Sequence, residues 1–200
     1  MHINIGRRSA VILGVFILVA AGVISLSINK SDSDDMGGMS DHSGHMSTST
    51  NSNYTGADVM FLQMMIPHHQ QAVEMSELAL KNSKDNSVIE LAKQIKAAQA
   101  PEIEQMKSWL TKSGFNPNAP HNMMMAGMLS DAEISKLKQS KANAFDKLFL
   151  AGMIKHHEGA LQMLKMISGS TNDEVKTLSE NIASTQTIEI ETMKAMLAGK

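Results

Sequence analysis

Asp58-Val-Met-Phe-Leu-Gln-Met-Met-Ile-Pro-His-His-Gln-Gln-Ala-Val-Glu-Met75 returns later in the chain as Asp146-Lys-Leu-Phe-Leu-Ala-Gly-Met-Ile-Lys-His-His-Glu-Gly-Ala-Leu-Gln-Met163. Asp, Phe, Leu, Met, Ile, His-His, Ala and Met come back in the same order and at the same spacing. An internal repeat fixes the architecture before any other feature is read. The side chains kept in both copies are one carboxylate (Asp58, Asp146), two imidazoles (His68 and His69, His156 and His157) and two thioethers (Met65 and Met75, Met153 and Met163). That set combines core packing with ligand chemistry.

The repeat continues into a second segment. Leu91, Ile95, Gln99, Glu102, Ile103, Glu104, Met106, Lys107 and Leu110 reappear as Leu178, Ile182, Gln186, Glu189, Ile190, Glu191, Met193, Lys194 and Leu197. Each unit is therefore two segments long. Phe61, Met65, His68, Ala72, Met75 and Ala79 recur at intervals of three and four, which predicts a helix over Ala57–Asn82. A second helix is expected over Ser87–Ser113, a third over Asn143–Ser168 with Gly169 as its stop, and a fourth over Asn172–Ala198. Ser130-Asp-Ala-Glu133 reads as a capping box that opens a short helix in the connection. Pro67 and Pro101 fall inside helical stripes that continue past them, so kinks rather than ends are expected there. No run reads as a strand. The predicted fold is all-α: a four-helix bundle made of two repeated helical hairpins.

Heptad spacing puts Asp58, Phe61, Met65, His68, Ala72 and Met75 on one inward seam, with Asp146, Phe149, Met153, His156, Ala160 and Met163 as its counterpart. His69 and His157 flank it. An antiparallel hairpin brings Met65 to the level of Glu102 and His68 to that of Gln99; the second copy places Met153 near Glu189 and His156 near Gln186. Two histidines, two glutamates, two glutamines and two methionines should converge in mid-bundle, with the aspartates towards one end. Buried carboxylates need partners. Imidazolium, a metal ion or a hydrogen-bond network could each serve, and a purely structural polar layer is the competing reading. Imidazole and thioether without thiolate point to copper, as Cu(I) or Cu(II); zinc stays open through His and carboxylate.

Composition narrows the field. The chain has 200 residues, a net charge of −2 and no long basic run, so nucleic acid is not an expected partner. Cysteine is absent, which removes disulfides and thiolate sites. Methionine is abundant at 18, more than core filling requires, and part of it lies in polar sequence. Arg7-Arg8 precede an uncharged stretch from Ser9 to Ile28. That is long for a signal peptide and sufficient for a bilayer span of about 20 residues. Residues 1–28 are read as an N-terminal signal or transmembrane helix that anchors the rest outside the cytoplasm. Val19-Ala-Ala21 leaves cleavage, and a secreted product, open.

Residues 29–56 form an expected disordered linker, in which Met36, Met39, His42, His45 and Met46 could wrap a soft ion or be low-complexity filler. Residues 57–200 form the bundle: repeat 1 at 57–113, a connection at 114–142 and repeat 2 at 143–198. The connection carries His121, Met123, Met124, Met125 and Met128, a second set of flexible donors.

Asp-x2-Phe-x3-Met-Ile-x-His-His-x2-Ala-x2-Met resembles the signature of the ferritin-like "domain of unknown function 305" family, over about residues 54–198 and in both copies. The resemblance implies a ferritin-like four-helix fold, export and, in some members, copper binding linked to copper resistance. By matched position it implies metal contacts at His68, His69, His156, His157, Met65 and Met153. Asn143-Ala144, where members often carry Gly, is a local departure at the start of the third long helix.

The leading expectation is an extracytoplasmic protein that sequesters or hands over copper, with metal ions, the membrane and a copper donor or acceptor protein as partners; a homodimer is compatible with it. A ferritin-like redox enzyme is the second reading. Di-iron bundles use Glu-x-x-His, and here Met65 and Met153 stand where that Glu would be. The third is a non-metal helical adaptor. Binding is favoured over catalysis: no Gly-rich phosphate loop and no Ser/His/Asp arrangement occurs.

Overall fold

A computed structural model describes residues 53–119 and 125–200. The expected anchor, most of the linker with Met36, Met39, His42, His45 and Met46, and His121, Met123 and Met124 of the connection lie outside the described residues. Among the described residues every regular element is helical, and no helix is long and apolar enough to cross a membrane.

Helix α1 spans Gly56–Asn82 and α2 spans Asn86–Lys112; both run through their internal prolines, Pro67 and Pro101. Thr55 caps α1 in a capping box with Asp58, and the Asp85 side chain caps α2 by accepting from the Ser87 N–H. These bonds satisfy amides that a helix start would otherwise leave unpaired. In the connection, α3 (Asp131–Gln139) opens on the capping box read from Ser130 and Glu133. Helix α4 covers Ala142–Met163 and then tightens into a 3-10 turn, Leu164–Ile167. Helix α5 covers Asp173–Ala198, capped by Asn172.

The helices pack as two hairpins, α1 on α2 and α4 on α5, joined chiefly through α1 and α4. Their ends are tied. Ser83, just past α1, donates to Asp146 near the start of α4 (2.6 Å), and Lys200 reaches the same carboxylate at 3.0 Å. Tyr54, just before α1, donates to Glu174 at the start of α5. Helices α1 and α4 therefore run antiparallel.

The core is split in two. One apolar cluster gathers Ala72, Met75, Val88, Ile95, Phe149 and Met193 among others. The second gathers Phe61, Met65, Met106, Ala160, Met163 and Ile182 among others. In sequence, His68 and His69 fall between the two clusters on α1, as do Gln99 and Glu102 on α2, His156 and His157 on α4, and Gln186 and Glu189 on α5. A polar layer thus crosses mid-bundle between two apolar blocks. Burying a large aliphatic or aromatic side chain contributes roughly 1.5–3 kcal/mol, so the flanking blocks can hold together a layer that would not be stable by itself.

The start of α4 differs from that of α1. Asn143 occupies the place of Thr55, Lys141 provides no side-chain cap, and Ala142 has φ 48°. A left-handed non-glycine residue costs roughly 1–2 kcal/mol. Asp146, relieved of the capping role that Asp58 plays, turns instead to Ser83 and Lys200.

Candidate metal centre

Four imidazoles, His68, His69, His156 and His157, are fully buried in the polar layer. His68 from α1 and His156 from α4 lie against each other across the seam between the hairpins, with ring centroids 3.8 Å apart and planes tilted by 39°. Their chain neighbours point the other way, each into its own hairpin. His69 Nε2 donates to Glu102 Oε2 at 2.8 Å, and His157 Nε2 donates to Glu189 Oε2 at 2.7 Å. His68 Nε2 donates to the backbone carbonyl of Ala126 at 3.0 Å.

A carbonyl or a carboxylate can only accept, so Nε2 of His68, His69 and His157 carries a proton, and for His68, which burial keeps neutral, Nδ1 carries a lone pair. Nδ1 of His68, His69 and His157 has no hydrogen-bond partner, and neither nitrogen of His156 has one. A histidine that donates its far N–H to a carboxylate or backbone carbonyl while its other nitrogen stays bare has the orientation of a metal ligand, and the acceptor raises its basicity. Burial keeps the central pair neutral. It pushes His68 down to about 3, with the neighbouring imidazoles His69 and His157 adding to the shift, and it lowers His156 well below its ordinary range, with His68 next in importance. Neutral imidazole is the form that binds metal.

These shifts fix the sign of the acid response. Unfolded histidine takes up a proton as pH falls below about 6.5, whereas folded His68 does so only near 3. The stability present above pH 6.5 is therefore lost as pH falls towards that value, by on the order of 1 kcal/mol per pH unit for each of the two buried rings. Urea unfolding of the metal-free protein at stepwise lower pH should show this slope beginning near pH 6.5. Stability that stays flat between pH 7 and 5 would mean that the rings charge inside the fold.

Met65 and Met153 are fully buried one helical turn before His68 and His156, and they approach the layer from opposite apolar blocks. Met75 and Met163 are also buried but stand seven residues beyond the central pair, about 10 Å along the helix. Asp58 and Asp146 lie ten residues before it, about 15 Å away. Asp58 Oδ2 accepts from Thr55 at 2.8 Å while its Oδ1 has no partner, and Asp146 is held by Ser83 and Lys200. The structure thus gathers the four histidines, Glu102 and Glu189, with Met65 and Met153 next to them, and keeps Asp58, Asp146, Met75 and Met163 at a distance. Met125 and Met128 are half-buried, and Met125 packs against the second apolar block. Among the described residues, no three His, Asp or Glu side chains form a set that could hold a metal ion. The donor chemistry that does fit is imidazole with thioether, with the glutamates engaged on the far side of His69 and His157.

The heptad reading set Met65 level with Glu102 and His68 with Gln99; the hydrogen bonds to Glu102 and Glu189 come from His69 and His157, the residues read as flanking. Gln99 has both ends of its amide unpaired, and Gln186 its carbonyl oxygen. Sequence reasoning missed a strap formed by Ala126–Leu129, which lies against α1 and α4. Gln71 holds it by two bonds to the Leu129 backbone: its Nε2 donates to the Leu129 carbonyl at 2.9 Å and its Oε1 accepts from the Leu129 N–H at 2.8 Å. Two glycines permit the fit: a Cβ on Gly159 would sit 2.1 Å from the Ala126 oxygen, and one on Gly127, at φ +80°, would sit 2.5 Å from the Lys155 oxygen.

The family described as "Domain of unknown function (DUF305)" matches over residues 58–197. Among solved structures, a DUF305 fragment from Deinococcus radiodurans is 34% identical, with a TM-score of 0.68 over 73% of this chain and 98% of that one. A DUF305 protein from Streptomyces coelicolor is 31% identical, with a TM-score of 0.68 over 72% and 93%. CopM in its Cu(I)-bound form is 29% identical, with a TM-score of 0.61 over 73% and 97%, and its Cu(II)-bound and silver-bound forms are similar as well. No match was found among curated proteins.

Proposed function

The chain belongs to the DUF305 family, and on that premise we propose that it binds copper outside the cytoplasm, to sequester it or pass it on. One observation carries the reading: five ring nitrogens of buried histidines have no hydrogen-bond partner, in a layer flanked by buried thioethers. A buried polar group without a partner costs roughly 1–3 kcal/mol. A layer that carries several of them is poorly explained as register-fixing alone and well explained as a ligand set. Neutral imidazole with thioether suits Cu(I), and imidazole suits Cu(II). The Cu(I)-, Cu(II)- and silver-bound forms of CopM support the assignment.

In this reading His68, His69, His156 and His157, with Met65 or Met153, are the available donors, and rings must turn for an ion to be shared, since no three His, Asp or Glu side chains form such a set as they stand among the described residues. Glu102 and Glu189 orient His69 and His157. Residues 1–28 would tether the protein to the membrane, and the donors between Met36 and Met46 and between His121 and Met128 would collect ions more weakly. Copper is the cargo, and no reaction is assigned.

The test is anaerobic titration of the full chain in detergent with Cu(I), Cu(II) and Zn(II), beside a variant with His68, His69, His156 and His157 all changed to Ala. Copper should bind more tightly than zinc, and the variant should lose at least a hundredfold in copper affinity. Equal binding by both forms would move the metal chemistry away from the bundle.

A further inference from the structure

We propose that the Ala126–Leu129 strap is the gate through which a soft cation such as Cu(I) enters and leaves the histidine layer, with Gln71 as its latch. The inference rests on the metal-binding reading above and adds to it a route and a control point.

The four imidazoles have no exposure to solvent, so an ion reaches them only if some part of the fold opens. Four walls of the layer are long helices, whose backbone bonds would have to break together. The strap is different. Among the described residues it is the one non-helical segment whose backbone bonds to these rings, through the Ala126 carbonyl on His68 Nε2. Among the described residues few hydrogen bonds hold it: that one, the two between Gln71 and Leu129, and a long Met128 N–H to Met125 carbonyl bond at 3.4 Å. A segment held by few hydrogen bonds opens at lower cost than a helix.

The strap is also fitted to its place at positions where the two repeats differ. Gln71 and Gly159 are equivalent, each three residues past the first histidine of its doublet, and both touch the strap. Gln71 grips Leu129, while Gly159 lets the Ala126 carbonyl approach its backbone. Met64 and Gly152 are equivalent too, and the missing side chain at Gly152 is where Leu129 packs. One repeat supplies the latch and the other the recess, so the strap lies across the seam over His68 and His156.

Loading and closure are coupled through a single ring. A cation on Nδ1 of His68 withdraws electron density and makes Nε2–H a stronger donor to the Ala126 carbonyl. By reciprocity, a closed strap raises the affinity of His68 for the cation. The strap therefore opens more readily over the free layer than over the loaded one.

The experiment follows transfer of Cu(I) between a chromophoric chelator and the full chain in detergent, in both directions, for the parent, Gln71→Ala and Gln71→Glu. Loss of two hydrogen bonds from the latch should speed uptake and release by about tenfold or more, with copper stoichiometry unchanged. Gln71→Glu, which still accepts from the Leu129 N–H, should fall between. Hydrogen exchange at the Leu129 amide should quicken in Gln71→Ala and slow on copper loading in the parent. Parent-like transfer rates in Gln71→Ala would overturn the gate and leave copper binding intact. Failure of the parent to take up Cu(I) at all would overturn the binding reading, and the gate with it.

Discussion

His156→Leu is expected to unfold at a higher temperature than the parent when metal is absent, and to bind Cu(I) at least a hundredfold more weakly. The two effects share one cause. His156 is fully buried and neither of its ring nitrogens has a partner. An unsatisfied buried polar group costs roughly 1–3 kcal/mol. Leucine fills similar space without that cost, and volume-conserving replacements in a core are well tolerated. For a domain of this size each kcal/mol moves the melting temperature by about 2–4 °C, so differential scanning calorimetry can resolve the gain. Losing an orienting partner weakens a metal site by about 10–100-fold, and losing the ligand itself should exceed that range. Stability given up for a binding site is the familiar trade-off. A lower melting temperature with parent-like copper affinity would assign His156 to structure and remove it from the site.

His157→Leu should lower the stability of the metal-free protein, and far more strongly than the equivalent His69→Leu. Both histidines donate to a glutamate, but the Glu189 side chain is 4% exposed and that of Glu102 is 21% exposed. Removing one partner of a buried pair strands the other, at about 3–5 kcal/mol. Glu189 is almost wholly buried, so His157→Leu should bear that cost. Glu102 can turn outward, so His69→Leu should lose only about 1 kcal/mol. Urea melts of the parent and both variants at pH 7 should show the larger deficit for His157→Leu. Equal deficits for the two variants would refute the account.

The duplicated His-His motif made the architecture legible, because an amphipathic period with two matched segments per copy admits little besides paired hairpins. Helix limits followed from side chains whose role is local: the box at Ser130 and Glu133 opens α3 where the pattern placed it, and α1 ends at Asn82 as read. The end of α4 was less legible, since the change from α to 3-10 at Leu164 leaves the apolar spacing almost unaltered.

At the site, the heptad reading gave each helix one inward seam. In a bundle α1 meets two neighbours, and successive residues diverge by about 100° around the axis. His68 therefore turns to α4 and His69 to α2, and the residue read as flanking is as deeply buried as its neighbour. The kept aspartates looked like ligands because both copies retain them, yet they secure helix ends by two different means. The strap left no periodic trace. Its only marks are differences between the copies, at Met64 and Gly152 and at Gln71 and Gly159, and those acquire meaning once the fold brings them together.

A chain built from two near-copies can still close over its own midline only once. Because a single Ala126 carbonyl is available there, one member of the central ring pair is tethered and its twin is left free. The molecule is a doubled object with a handedness of its own: exchanging its halves would restore the helices and misplace the bond that distinguishes them.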